Sequence, residues 1–225
     1  MRTVTLDKTC TVGSAAPARP DLYHLFWVFF CTSVLGVLLE TGFMLVTRGA
    51  LMNRSGVLYG PFSLVWGIGA VLFTLLLHRL LPYGNLALFL GGAAVGTVFE
   101  YFCSWLQESL FGLRFWSYAH LPFNLNGRVC LLFSVFWGAA ALAWMRLCWP
   151  ALCIWLERPH RPSRRVTRVL AVFMALNIAL TAAALIRMDA RRQGIPPGNS
   201  VEIFLDQQFP DERLLRHFTG VRYIG

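Results

Sequence analysis

Five long apolar stretches, parted by short polar ones, organise this chain. They run over residues 22–46, 62–81, 86–111, 129–149 and 169–186. A helix needs about 20 apolar residues to cross a hydrocarbon layer of about 30 Å, and each stretch is near that length. Lipid offers the backbone no hydrogen-bond partner, so such segments must satisfy themselves as helices. The predicted fold is all-α, a polytopic membrane helix bundle of about five transmembrane helices. Three parts are expected: a polar N-terminal segment at 1–21, a transmembrane domain at 22–187 and an extramembrane tail at 188–225.

The breaks between stretches set the topology. The turn from Leu81 to Asn85, with Pro82 and Gly84, is short and makes the second and third helices antiparallel neighbours. Residues 112–128 form a longer aromatic and polar connection, and 156–167 a basic one with Pro159 and Pro162. Residues 191–198 read as a linker, and Pro210–Phe218 as a brief helix with Leu214, Leu215 and Phe218 on its apolar side. No long repeat is evident. The N-terminus does not read as a cleavable signal peptide, because residues 1–20 are polar and the apolar run after them is too long.

Composition agrees: 56% of residues are apolar and 14% charged, far from the quarter charged of a soluble domain. The net charge of +9 comes almost wholly from arginine, Lys8 being the only lysine. The cluster Arg158, Arg161, Arg164, Arg165 and Arg168 reads as an anchor facing anionic headgroups, not as a nucleic-acid surface. It favours a cytoplasmic N-terminus, although Arg187, Arg191 and Arg192 before the tail argue the other way. The six cysteines contain no CxxC pair and imply neither a disulfide framework nor a zinc site. The histidines show no metal-ligand spacing, and no cofactor motif, nucleotide-binding loop or hydrolase elbow is present. The expected location is a cell membrane.

The informative residues are acids at bilayer depth. Glu40, Glu100 and Glu108 lie inside apolar stretches, where a charge is costly and commonly marks function. Glu100, Ser104 and Gln107 share one helical face; Tyr101, Trp105 and Glu108 form a stripe beside it. Glu100 and Glu108 stand eight residues apart, about 12 Å of rise, so they cannot form a close acid pair. The connection that follows holds Arg114, Trp116, Tyr118, Asn124, Asn126 and Arg128. Arginine can grip a carboxylate or phosphate through two parallel hydrogen bonds, so Arg128 is a natural partner for Glu100, Glu108 or Glu40. Upstream, Asn53-Arg54-Ser55-Gly56-Val57-Leu58-Tyr59-Gly60-Pro61 reads first as a membrane-entry turn and second as a binding loop. For the aromatics and asparagines alone, interfacial anchoring and turn formation are the plain readings. For the acids, an interhelical ion pair weighs as heavily as a functional site.

Together these segments resemble the ABC-transporter type IV family of CmpB-like membrane proteins. The likeness rests on Asn53, Arg54, Leu58, Tyr59, Gly60 and Pro61, then on Glu100, Tyr101, Ser104, Trp105, Glu108, Phe111 and Gly112. It continues through Trp116, Tyr118 and Asn124-Leu125-Asn126-Gly127-Arg128, with Phe209–Arg213 as a weaker match. Ser55 and Ser117 depart from the pattern, which has Gly and Asp there. The resemblance implies a permease-like protein moving an ion or small anion through a polar intramembrane site. Glu40, Arg54, Tyr59, Glu100, Tyr101, Ser104, Glu108, Arg114, Trp116, Tyr118, Asn124, Asn126 and Arg128 are its candidate substrate-binding residues. The bilayer, a second copy of the chain and a separate ATPase subunit are the expected partners. Two rival expectations are an intramembrane enzyme acting on a lipid-linked or phosphate-bearing substrate, and a structural or sensory membrane partner.

Overall fold

A computed structural model describes residues 20–223, so nearly all of the polar segment at 1–21 lies outside the described residues, with Cys10 and the basic residues Arg2, Lys8 and Arg19. Helix α1 covers Leu22–Arg48; Asp21 caps its start by accepting from the His24 amide, and Gly49 ends it in the left-handed region at φ 65°. Helix α2 covers Leu64–Leu76 and continues through a 3-10 segment, Leu77–Tyr83, that contains Pro82. Helix α3 follows at Gly84–Phe111.

Four helical stretches are long and apolar enough to cross a membrane: Leu22–Thr47, Leu64–Phe111, Leu131–Glu157 and Arg164–Arg192. The second is 48 residues long. Laid straight it would reach about 70 Å, more than twice the hydrocarbon thickness. It reverses instead at Gly84, whose φ of 87° only glycine adopts without strain. Leu80 lies against Gly91, and Phe99 lies beside Gly69, so the two legs run antiparallel as the short turn predicts.

Helix α4, Leu131–Ala143, runs through a π-helical turn, Trp144–Cys148, into α5, Trp149–Glu157. The fourth apolar stretch was expected to stop at 149, before Pro150. The wider turn absorbs the proline: the Trp149 amide reaches back to the Trp144 carbonyl, and the helix goes on. Helix α6, Arg164–Arg192, is longer at both ends than the expected 169–186, and the expected linker starts only after it.

The tail is docked. Helix α7, Ser200–Gln208, was not anticipated, although Asn199 and Glu202 form a reciprocal cap that the sequence displays. Helix α8, Asp211–His217, buries Leu214 and the following Phe218, while Leu215 stays exposed. Strand β1 (Leu113–Arg114) pairs antiparallel with β4 (Arg222–Tyr223), and β2 (Asn124–Leu125) with β3 (Val129–Cys130). One core cluster, with Val28, Phe73, Leu77, Leu88, Trp137 and Trp144, fills the bundle. A second, with Leu113, Leu185, Met188, Leu205, Leu214 and Phe218, fastens the tail to α6. Outward positions such as Leu38, Leu86, Val98, Val169 and Leu176 are exposed and apolar, as a lipid-facing surface requires. Cys31, Cys103, Cys130 and Cys148 are free thiols. Cys153 is disulfide-bonded, a bridge that the sequence, which implied no disulfide framework, did not announce.

The bundle has two ends. One carries the start of α1, the 3-10 turn and the 158–163 loop. The other, the site face, carries the 49–63 loop, the 112–130 connection and the tail. At the site face Arg187 donates through Nε and Nη2 to both oxygens of Asp206, each at 2.9 Å. Arg191 bonds Asp206 and Asp211. These guanidinium hydrogen bonds hold the Asp206 carboxyl below the usual aspartate range, against the opposing effect of burial.

Two outcomes follow. A methyl group at Gly96 would collide with the Trp137 ring, whereas one at Gly42 meets nothing. Gly96→Ala is expected to cost about 1–3 kcal/mol in unfolding measured in detergent, and Gly42→Ala to leave stability unchanged or slightly raised. Because the folded Asp206 value is depressed, its contribution to tail docking is fully present above the unfolded aspartate range and is lost as pH falls through the folded value. Hydrogen exchange of α7 and α8 should therefore accelerate on acidification, and Asp206→Asn should remove that dependence.

Candidate functional site

Thirteen residues were expected to form one site. The structure distributes them over three linked groups on the site face and sets one, Tyr59, apart.

The deepest group centres on Glu100. It lies 11 residues before the end of α3, about 16 Å along the helix from the site face. Its residue is 6% exposed. Tyr118 donates its hydroxyl to Oε1 at 2.7 Å, and Trp137 donates its indole N–H to Oε2 at 2.9 Å. Among the described residues no arginine bonds Glu100; Arg128 bonds Glu108 and Tyr101 instead. Burial first, and the facing Glu100 second, push the Tyr118 phenol above its ordinary value, which keeps the hydroxyl a donor. Phe133 stacks on Tyr118 at 4.4 Å between centroids and fixes the ring. Ser104, one turn on, is buried on the same face of α3, as expected.

The second group centres on Glu40 of α1. Arg54 donates from Nε to Oε2 at 2.9 Å, and Trp66 donates from Nε1 to Oε1 at 2.8 Å. The Trp66 and Trp137 rings meet at 5.8 Å, so the two carboxylates stand on opposite sides of an indole pair.

The third group lies at the mouth. Glu108 takes Arg114 Nε at 2.7 Å on one oxygen and Arg128 Nη2 at 2.5 Å on the other. Its side chain is 9% exposed. Arg128 also donates to the Tyr101 hydroxyl at 3.1 Å and lies over that ring. Asn126 donates to the same hydroxyl at 3.0 Å. Trp116 donates to the Arg128 carbonyl at 3.0 Å. Asn124 shapes the turn, donating to the Leu121 carbonyl and accepting from the Gly127 amide. Phe123 and Asn126 hold positive φ values of 52° and 54° within that turn. Asn124 thus forms the turn, and Trp116 holds the backbone of Arg128.

Tyr59 lies elsewhere. Its backbone pairs with Asn177 of α6, and its ring lines a cavity of about 340 Å³ with Leu58, Phe209, Arg213, Arg216 and His217. Sequence reasoning missed Trp66 and Trp137, the two donors that hold the deep acids. The signal was present: each tryptophan precedes a glycine, and each acid follows a glycine by four residues. Among the described residues no group of histidine, cysteine and acidic side chains could hold a metal ion.

Long apolar helices around a buried, ion-paired end define a multi-pass membrane protein. Residues 27–182 match the family described as "Putative ABC-transporter type IV", and the chain belongs to that family. Comparison with curated proteins and with solved structures returns no match.

Glu108 and Arg128 should behave as one unit. A double-mutant cycle with Glu108→Gln and Arg128→Gln is expected to give a coupling energy of about 1–3 kcal/mol in unfolding. Additive single effects would show the two to be independent.

Proposed function

We propose that the protein is the membrane-embedded part of a transporter, and that it passes a small ion along α3 from the Glu108 mouth to Glu100. The observation that carries this reading is the graded ladder on one helix. Charged pairs stand at the mouth, and a carboxylate held only by neutral donors stands at mid-depth. A purely structural acid at that depth is better served by an arginine, as Glu40 is by Arg54. The arginines of the site, Arg54, Arg114 and Arg128, each already meet a carboxylate. A small anion would have to displace one, so the geometry favours a cation over the anion that arginine content suggested.

An ABC-type transporter draws on ATP hydrolysis, and this sequence has no nucleotide-binding loop, so the ATPase is a separate subunit. Charge distribution supports its place. On the site face Arg54, Arg114, Arg128, Arg187 and Arg191 are matched by acids. At the opposite end the only described arginine–acid contact is Arg164 with Asp21, at 3.8 Å. The excess positive charge therefore collects around 158–168, which supports a cytoplasmic position for that end, where an ATPase would dock. The site face then opens away from the cytoplasm. With five crossings, a second copy of the chain is the simplest route to a complete pathway.

The test is flux in proteoliposomes carrying a pH-sensitive dye, under proton, sodium, potassium or chloride gradients. Glu100→Gln is expected to lower flux at least tenfold, with Arg128→Ala also impaired. Trp105→Phe, on an exposed position of α3, should match the wild type. Undiminished flux in both site variants would reject the transport reading.

A further inference from the structure

Two stretches of this chain repeat one pattern, contrary to the expectation of no long repeat. Asn53, Gly56, Phe62, Ser63, Trp66 and Gly67 recur in the same spacing as Asn124, Gly127, Phe133, Ser134, Trp137 and Gly138. On the preceding helices, Phe29, Gly36 and Glu40 recur as Phe89, Gly96 and Glu100. The repeat is thus a whole helical hairpin, α1–α2 and then α3–α4, with both copies running in the same sense.

The packing repeats with the sequence. In each hairpin the tryptophan of the second helix lies where a Cβ on the first helix's glycine would be, Trp66 over Gly36 and Trp137 over Gly96. In each, the glycine after that tryptophan receives the phenylalanine, Phe29 at Gly67 and Phe89 at Gly138. In each, the indole N–H donates to the glutamate, at 2.8 Å and 2.9 Å. The two tryptophans meet where the hairpins face each other. Patterning alone would give two glycine-rich hairpins; it would not give the same hydrogen bond at the same step of both.

The copies differ at the glutamate's other oxygen. Glutamate and tryptophan stand 26 residues apart in the first copy and 37 in the second. The added loop brings Tyr118 to Glu100, whereas Arg54 serves Glu40. That difference is chemical. A tyrosine hydroxyl both donates and accepts, so it can reverse its bond when the carboxylate takes a proton. A guanidinium only donates, so protonating Glu40 would forfeit its bond. Around Glu100 the facing groups are Tyr118, the indole of Trp137, Cys103 on its own helix and Glu40 across the tryptophan pair. Around Glu40 they are Arg54, Trp66 and Glu100. Glu100 meets one hydroxyl and one indole N–H; the hydroxyl oxygen can accept from a protonated acid, whereas a metal cation would require further oxygen ligands.

We propose that the core is a duplicated hairpin with two equivalent carboxylate sites for a proton, the one at Glu100 working and the one at Glu40 occupied by Arg54 as a built-in counter-ion. This rests on the transport reading only in taking the proton at Glu100 as the transported or coupling ion.

Infrared difference titration of the purified full-length protein tests it, each signal being assigned by its loss in the matching glutamine variant. The wild type should show one protonating buried carboxyl, absent in Glu100→Gln. Arg54→Gln should show two, the added one disappearing in Arg54→Gln with Glu40→Gln. Arg54→Lys keeps the counter-ion and should show one. The double variant removes both charges of the pair and keeps the titration readable if Arg54→Gln does not fold; it should then show the Glu100 signal alone. A titrating carboxyl lost with Glu40→Gln in the wild type, no added carboxyl in folded Arg54→Gln, or loss of the Glu100 signal in the double variant would overturn the proposal. Normal flux in Glu100→Gln with the expected titrations would instead overturn transport while leaving the duplication standing.

Discussion

A carboxylate buried inside a helix bundle must find its hydrogen-bond donors within the protein, and most of the architecture around α3 serves that need. Glu100 takes Trp137 from α4 and Tyr118 from the connection. The indole reaches it because Gly96 lets the ring lie against the helix backbone one turn away. The phenol reaches it because the connection folds inward, with the Tyr118 amide bonded to the Gly127 carbonyl at 2.7 Å and the ring stacked on Phe133. Neither donor carries a charge, so this acid is solvated by dipoles alone. Removing either would leave a buried oxygen unsatisfied, which costs on the order of 1–3 kcal/mol.

Arginine solves the same problem differently at the other acids. Glu40, Glu108, Asp206 and Asp211 each take a guanidinium, and the last two tie the tail to α6. The tail is thereby a lid fixed by charge and by a small apolar core, not a loose appendage.

The helical class, the antiparallel turn, the acids and their nearness to the aromatic connection were all legible in the sequence, because apolar run length and charge in an apolar run are strong, local signals. The partner choices were not. Arg128 stood as a candidate for three acids, and only the depth difference along α3 separates Glu108 from Glu100. The fourth stretch ended at Trp149 on apolar run length, and the sequence does not show that a π turn carries the helix on through Pro150. Tyr59 read as part of the site because it sits in the motif with Arg54, yet the chain turns between them and sends its ring to the tail. Helix α7 was missed although Asn199 and Glu202 announce it. The tryptophan pair was missed for a different reason: the two copies of the hairpin are offset by an 11-residue difference in loop length, the gap between 26 and 37, which hides them from inspection at one fixed period.

The order of the ladder follows from what each partner permits. An ion pair buried in low dielectric is held by several kcal/mol and does not open readily. At the site face, Glu108 bonds two arginines, and the carbonyl of one of them, Arg128, takes the Trp116 indole, which ties the connection to α3. A group that must load and unload needs partners whose bonds survive both states. Tyrosine meets that condition because its hydroxyl can turn, and the indole because it donates to either form of the acid. Under the proposed reading, an arginine in the place of Tyr118 would leave Glu100 no such partner, and the first hairpin, where Arg54 holds Glu40, has that arrangement at its own acid.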